Sequence, residues 1–216
     1  MESYMKRLLN SLKFCETDAG ERYNMAGVVI GEGCVTSTDG VAAYRSRFPY
    51  LGSPVFVPLE EVRAKTSRIK SGEVENVLVE RNTLLLLPAN ITLKPKKNDK
   101  FPHHVRECFE GEVYKSAFHF DLDQYKKILL SLCDSSKEAT LSLQRDQFVT
   151  TLADGKVCTK FTVDVSSGND SSSLLDTSYL HCIVSSLSGR ISVYLSYSKV
   201  RMVSNGTEIV VATIQR

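Results

Sequence analysis

The chain has 216 residues, a formal net charge of +2 and 42% hydrophobic residues. This length suits one large domain or two domains of about 100 residues each, and the ordinary composition excludes a disordered chain or a coiled coil. No apolar run approaches the roughly 18 residues that span a bilayer, and the N-terminus, MESYMKRLL, lacks the apolar core of a signal peptide. We therefore expect a cytoplasmic protein with no membrane partner.

The chain carries none of the usual local motifs of catalysis or metal binding. The six cysteines contain no C-x-x-C pair, which argues against a zinc ribbon or a redox motif. No nucleophile elbow, P-loop or H-E-x-x-H occurs. His103 and His104 are adjacent, so in an extended segment they point to opposite sides and are poorly placed to share one metal. We expect no catalytic residues, no metal and no cofactor.

The first quarter of the chain predicts a helix followed by three strands. Ser3 can cap a helix over Tyr4 to Cys15, whose inward positions are predicted to include Met5, Leu8, Leu9 and Leu12. Three short strands between Met25 and Arg47 then form a meander. Its turns fall at Gly31 to Gly33 and at Asp39-Gly40, where glycine tolerates positive φ.

The second quarter predicts the same succession, now with a strand before the helix. A strand over Val55 to Val57 leads into a helix that opens at Pro58 and stops at Gly72, with Glu60 and Glu61 near its positive end. Strands are predicted at 74–80, 84–87 and 91–94. The irregular segment from Lys94 to Glu112 is the candidate connector between two domains.

The second half repeats both patterns. A strand at 117–120 precedes a helix at 122–133, and strands follow at 140–143, 148–152 and 157–165. We expect a mobile polar loop from Ser166 to Ser173. A helix capped by Asp176 or Thr177 runs to Leu187, with Tyr179, Leu180 and Ile183 inward, and strands at 191–198, 200–203 and 209–214 complete the chain.

The spacing of the helices indicates an internal repeat. Their predicted starts lie near residues 4, 58, 122 and 176, at intervals of 54, 64 and 54 residues. A single unit of one helix and three or four strands has too few strands to enclose a core, whereas two units together can form a domain. We therefore predict an α+β protein of two domains, residues 1–110 and 111–216. Each is a duplicated βαβββ unit with two helices on one face of curved antiparallel sheets.

With this repeat, the chain resembles the bacterial β-type DNA polymerase sliding clamp, or processivity factor. Met5-Lys6-Arg7-Leu8, the meander and Ser37-Thr38-Asp39-Gly40 resemble the start of the middle domain of such clamps, and Phe101-Pro102 resembles the motif before their last connector. Ser178-Tyr179-Leu180 and the final strand, Val210 to Arg216, resemble the C-terminal domain. The resemblance implies two DNA-clamp domains and a non-enzymatic role in DNA replication.

Two departures from the family pattern affect the expected assembly. Clamps of this family carry three such domains and close a ring as dimers, whereas this sequence matches only two domains. A six-domain ring would then need three copies, a homotrimer. The strand that should precede the first helix also has no counterpart before Tyr4.

The resemblance implies that Lys and Arg on helices lining a ring attract the phosphates of double-stranded DNA without reading its sequence. The candidates are the basic residues of the first three helices: Lys6, Arg7, Lys13, Arg63, Lys65, Arg68, Lys126 and Lys127. The fourth helix offers no Lys or Arg. For any single candidate a solvated helix face is the more common role, whereas the set as a whole indicates contact with DNA.

The resemblance also implies a pocket for short linear peptides of a DNA polymerase and a clamp loader, with apolar walls and a polar rim. Its candidates lie on the strand after the Thr-Asp-Gly turn, in the Phe-Pro connector, on the fourth helix and in the last strands: Thr38, Gly40, Val41, Ala43, Pro102, Arg106, Tyr179, Val200, Val210, Ala212 and Ile214. The alternative function is a clamp-like regulator or decoy that binds replication proteins without encircling DNA.

Overall fold

A computed structural model describes residues 3–18, 20, 22–67, 74–98, 100–110, 113–123, 125–126 and 136–215, without the side chains of His103 and His104. The chain divides into two compact units, Met1–Glu107 and Cys108–Arg216. The domain boundary predicted from the sequence lies three residues further on. The structure is α+β, with short helices and extensive antiparallel sheet, which confirms the predicted fold class.

The first half of unit 1 is a helix followed by the predicted meander. Ser3 caps α1 (Tyr4–Ser11), its hydroxyl accepting a hydrogen bond from the Lys6 amide at 3.3 Å, and a 3₁₀ turn, Leu12–Phe14, follows. The strands are β1 (Gly27–Gly31), β2 (Cys34–Thr38) and β3 (Ala42–Arg47). Gly40, with φ of +89°, makes the second turn possible because it lacks a Cβ.

The second half of unit 1 consists of β4 (Val55–Pro58), α2 (Leu59–Thr66), β5 (Val74–Glu80), β6 (Thr83–Pro88) and β7 (Ile91–Leu93). Strand β4 pairs antiparallel with β1 of the first half of the unit, so one sheet has the order β3-β2-β1-β4. The other sheet contains three strands in the order β5-β6-β7. A 3₁₀ segment, His103–Phe109, begins in unit 1 and ends in unit 2.

In each half of unit 2, the strand before the helix pairs with a strand of the other half. Its elements are β8 (Ser116–Asp121), β9 (Glu138–Gln144), β10 (Gln147–Leu152), β11 (Val157–Thr162), β12 (Asp164–Gly168), β13 (Ser171–Asp176), α3 (Thr177–Ser186), β14 (Arg190–Leu195), β15 (Lys199–Ser204) and β16 (Thr207–Ala212). Strand β13 pairs with β9, which gives the order β11-β10-β9-β13. Strand β8 pairs with β14, which gives β12-β8-β14-β15-β16.

The cores of the two units differ in their aromatic content. In unit 1, Phe14 stacks on Tyr44 with ring centroids 5.4 Å apart, and both side chains are fully buried. In unit 2, five rings form one cluster, in which centroid separations between neighbours run from 5.0 to 6.2 Å. Its members are Phe118, Phe120, Tyr125, Phe148 and Phe161.

The sequence predictions for the loop at 166–173 and for the inward face of α1 are wrong. The expected mobile loop from Ser166 to Ser173 lies largely in strands β12 and β13, whose backbones pair with β8 and β9. On α1, Leu9 is 38% exposed although we predicted it inward, and Arg7, Asn10 and Ser11 are buried instead. The buried face of α1 therefore carries Arg7 and Ser11, whose carbonyls accept hydrogen bonds from the meander.

Parts of the predicted second and third helices lie outside the described residues. Helix α2 ends at Thr66, and the predicted stop at Gly72 cannot be compared. At the predicted 122–133 helix, the structure describes Leu122, Asp123, Tyr125 and Lys126, which are helical. No helix within the described residues has the length and apolar character needed to cross a membrane.

Candidate DNA-facing helices and peptide groove

The basic residues of unit 1 fall into two groups by burial. Lys6 and Lys13, on α1 and the turn after it, and Arg63 and Lys65, on α2, are all exposed. Arg7 is only 4% exposed, and its Nη1 donates a hydrogen bond to the Arg47 carbonyl at 3.3 Å. Arg7 therefore helps to attach α1 to β3 rather than presenting a charge to a ligand.

Tyr44 explains why α1 buries its Arg7 side. The Tyr44 hydroxyl donates to the Arg7 carbonyl at 3.0 Å, and the Ser37 hydroxyl donates to the Ser11 carbonyl at 2.7 Å. Both bonds join the buried face of the helix to the meander and satisfy helix carbonyls away from water. Arg7 and Ser11, four residues apart, lie on the same face of the helix. Leu9 lies on another face and is exposed.

The basic residues predicted on the third helix are not equivalent to those of unit 1. Lys126 is half-buried, and its Nζ donates to the Leu187 carbonyl at 2.6 Å. Leu187 is the C-cap of α3, so the ammonium lies where the negative end of the helix dipole favours a cation. Lys127 and Arg68 lie outside the described residues.

Helix α3, the fourth predicted helix, has no Lys or Arg in its sequence TSYLHCIVSS. Asp176 caps it, because its Oδ1 accepts hydrogen bonds from the Ser178 amide at 2.7 Å and the Ser178 hydroxyl at 2.6 Å. Its exposed residues include Ser178 and Ser185. The exposed cations of the described helices are thus concentrated on unit 1.

In unit 1, the candidates for the peptide groove divide into a closed turn and an exposed tip. The Thr38 hydroxyl donates to the Ala42 carbonyl at 2.7 Å and accepts from the Gly40 amide at 3.0 Å. Thr38 and Ala43 are each 4% exposed, whereas Val41 is 47% exposed. The turn therefore presents Gly40 and Val41 to solvent and holds Thr38 and Ala43 in the core.

The connector candidates divide similarly. Pro102 is buried, and its carbonyl accepts a hydrogen bond from Val105 at 3.2 Å. Arg106 is exposed and pairs with Glu32, with 2.7 Å between Nη2 and Oε2. Because both side chains are more than half exposed, this pair adds little stability.

In unit 2, the groove candidates on the strands are buried and those at the chain end are accessible. Val200 and Val210 are 1% and 5% exposed. Ala212 and Ile214 are exposed, and the Ile214 amide donates to the Leu174 carbonyl at 2.9 Å, which ties the last residues to β13. Tyr179 on α3 is half-buried.

One accessible aromatic beside Ala212 was missed by the sequence reasoning. Tyr197 is 75% exposed in the β14–β15 turn, and Lys115 Nζ lies 3.3 Å from its ring centroid. The carbonyl of Tyr197 accepts from the Thr213 hydroxyl, which brings the turn next to the end of β16. The sequence Ser196-Tyr197-Ser198 lies in this turn. We predicted it to be part of the strand because it continues the alternating pattern that starts at Ile191.

Burial lowers the acidity, and so raises the pKa, of two of the described cysteine thiols, Cys15 and Cys34. Burial raises the pKa of Cys15 to about 12, because the charged thiolate is disfavoured away from water. Its Sγ donates to the Gly27 carbonyl at 3.2 Å. Burial also raises the pKa of Cys34, which outweighs the lowering by Arg45 and Arg47. Within the described residues, no cluster of three His, Cys, Asp or Glu side chains could hold a metal ion.

Solved structures identify the fold. The chain superposes on the DNA polymerase sliding clamp of Pseudomonas aeruginosa with a TM-score of 0.75 and 16% identity, covering 100% of this chain and 66% of the clamp. For the DNA polymerase III β subunit of Thermotoga maritima the values are 0.79, 12%, 99% and 63%. For the Caulobacter crescentus β sliding clamp they are 0.74, 17%, 100% and 65%.

These likenesses confirm, at the level of fold, the resemblance derived from the sequence: the chain has the fold of the bacterial DNA polymerase III β sliding clamps. It spans between 63% and 66% of the length of the three clamps named above. No protein-family model matches the chain, and no curated protein does.

Proposed function

We propose that the protein is a DNA sliding clamp, a processivity factor that encircles duplex DNA and tethers a polymerase through a peptide-binding groove. The observation that carries this proposal is the clamp fold over the whole chain, in two units. Such a protein forms no covalent bonds with its substrate. It acts by topology, and weak phosphate contacts let it move along the duplex.

The exposed cations of unit 1 supply those contacts in the proposal. Lys6, Lys13, Arg63 and Lys65 present charge from α1, its following turn and α2, in a chain whose net charge is only +2. Long, flexible side chains on short helices can follow phosphates without fixing a register. Arg7 and Lys126 are left out of the proposed surface because their donors serve Arg47 and Leu187.

The proposed groove uses the accessible candidates only. In unit 1 these are Gly40, Val41 and Arg106, and in unit 2 they are Tyr179, Ala212 and Ile214. Taken by itself, the unit 2 set offers apolar side chains for the apolar anchors of an extended peptide, and in unit 1 Arg106 offers a cation for an acidic group. Polymerase and clamp loader are the proposed sources of such peptides.

The ring is proposed to be a homotrimer, because two clamp units per chain give six units in three copies. Sedimentation equilibrium tests the assembly, and a mass of about three times 24.1 kDa is expected. A mass that stays at one or two chains over the full concentration range contradicts the ring.

One observation favours a second function, a clamp-like regulator that binds replication proteins without encircling DNA. Helix α3 carries no cation, and the described cation of the preceding helical segment, Lys126, binds the end of α3. Unit 2 therefore offers little charge from its described helices. A monomer that competes with a ring-forming clamp for polymerase peptides would establish this function in place of the first.

A further inference from the structure

The strand exchange within unit 2 provides a comparison for the described strands of unit 1. In unit 2, β8 lies beside β14 and covers its outer edge, with Val193 opposite Phe118 and Ile191 opposite Phe120. The strand of unit 1 that is equivalent to β14 is β5, since each is the first strand after the second helix of its unit. Among the described residues, β5 has β6 on one side and no strand on the other.

The side chains of β5 show that this edge is open on the core side. Val77 pairs with Leu86 and Val79 pairs with Leu84, and directly opposed residues of an antiparallel pair lie on the same face of the sheet. Leu84 and Leu86 are at most 1% exposed, but Val79 is 55% exposed. An apolar side chain on the buried face of a sheet is therefore left in water.

The matching positions of unit 2 provide the comparison. Val193 and Leu195 of β14 are opposite Met202 and Val200, and all four are at most 1% exposed. The two phenylalanines of β8 supply part of the cover, at 0% and 7% exposure for Phe118 and Phe120. An occupant of the β5 edge would need apolar side chains at alternate positions to do the same.

Charge decides between the occupants. Glu75 and Glu80 are exposed near the two ends of β5, with Arg81 in the turn that follows. A second copy pairing through its own β5 would add the same two carboxylates to the strip, which like-charge repulsion disfavours. A strand with lysine or arginine at its ends would instead pair with them.

We propose that the free edge of β5 binds an extended basic segment of a partner protein by β-strand addition, with alternate apolar side chains covering Val77 and Val79. Backbone hydrogen bonds to the exposed edge supply affinity, and the two apolar positions and the flanking carboxylates supply selectivity. This surface lies within unit 1 and does not depend on encirclement of DNA.

The test uses a peptide that copies the strand found at this place in unit 2. The probe is acetyl-Lys-Ala-Phe-His-Phe-Lys-amide, which keeps residues 117–120 and adds a lysine at each end. Hydrogen exchange on the full chain, with and without about 1 mM peptide, should show new protection at Val77 to Glu80. The acidic counterpart, with glutamate at both ends, should bind at least about tenfold more weakly.

Two matched variants complete the test. Val79→Lys places a charge at the open position and should weaken peptide binding by about tenfold or more. Val157→Lys is the control, because Val157 is also an exposed valine, at 54%, on the outer strand of a sheet, and it should leave binding unchanged. Because both residues are already exposed, neither variant should alter the thermal midpoint appreciably.

Three results would overturn the proposal. One is an absence of protection in β5 at this peptide concentration, and another is equal binding of the basic and acidic peptides. The third is protection of β5 without peptide that rises with protein concentration, which would assign the edge to a second copy of the chain. None of these readouts involves DNA, so the proposed clamp function can fail or hold independently.

Discussion

The two units carry the same repeated module but differ in the pairing of their described strands and in charge. Unit 2 closes both of its sheets with exchanged strands, β13 on one and β8 on the other, and its five-ring cluster fills the core. Among the described residues of unit 1, β4 is the one exchanged strand, and the three-stranded sheet leaves Val79 exposed. The exposed cations of the described helices, however, lie on unit 1. Unit 2 thus has the more fully paired described sheets, whereas the proposed DNA contacts lie on unit 1.

The largest expected effect tests the aromatic core of unit 2. Phe148 is fully buried and contacts four other rings of the cluster. We expect Phe148→Ala to lower the free energy of unfolding by about 3–5 kcal/mol, measured by urea denaturation. In unit 1, Leu78→Ala on the open strand should cost no more than about 0.5 kcal/mol. Similar losses at both positions would contradict the difference in closure.

The next prediction tests the difference in charge. Reversal of the four exposed cations of unit 1, as Lys6→Glu, Lys13→Glu, Arg63→Glu and Lys65→Glu, removes phosphate attraction and adds repulsion. We expect DNA affinity to fall by at least about tenfold, and the slope of log affinity against log salt to decrease by about 1 for each phosphate that the protein no longer neutralises. Fluorescence anisotropy at several salt concentrations measures both quantities.

The control for this experiment lies in unit 2. Lys156 and Lys160 are exposed on and beside β11 and belong to no described helix. Their reversal to glutamate changes the net charge by half as much but should leave the salt slope unchanged within error. If the control weakens binding per charge as strongly as the unit 1 variant does, DNA is responding to overall charge and not to the helices of unit 1.

The helix caps of the two units should differ by a smaller amount. Asp176 accepts two short hydrogen bonds, whereas the single bond to Ser3 is 3.3 Å long. Asp176→Ala should therefore cost about 1 kcal/mol and Ser3→Ala about 0.5 kcal/mol, measured by thermal unfolding. Asp176→Asn retains an accepting oxygen and should recover most of the loss, which separates capping from simple truncation.

The last prediction concerns the pH dependence contributed by Cys15, which appears only at alkaline pH. Burial raises its pKa in the folded state from 9.0 to about 12, so the folded state holds its proton more tightly than the unfolded state. The resulting stabilisation is complete below about pH 9 and is lost as pH rises toward 12. Cys15→Ala should therefore flatten the decline of unfolding free energy across this window. Cys108→Ala serves as the control, and an equal flattening would remove the assignment to Cys15.

Local sequence signals predicted most of the strands and turns. Asp39-Gly40 and Asn205-Gly206 occupy turns where the glycine φ is +89° and +78°, as the residue types indicated. The alternation from Ile191 to Leu195 also predicted which side chains are buried. These features depend on neighbours in the sequence, so a pattern of period two or a turn dipeptide is sufficient to locate them.

The errors arose where a distant partner decides the structure. Strands β12 and β13 are rich in serine, and their pairing with β8 and β9 overrides a polar composition typical of loops. We predicted Arg7 to be exposed because it is a charged residue among other polar residues of the first helix, such as Lys6 and Asn10. Its burial depends on Arg47 and Tyr44, about forty residues away. The candidate groove shows the same limit. The sequence did not indicate which residues of its strands are accessible, and Val200 and Val210 are buried.

Retention on circular DNA tests the central proposal most directly. The protein, with a loader if one is required, is assembled on nicked circular DNA and filtered from free protein at a salt concentration that suppresses simple phosphate binding. We expect the protein to remain on the circle and to be lost when a single cut makes the DNA linear, because a ring slides off an open end. Equal retention on circular and linear DNA, or retention on neither, would contradict encirclement.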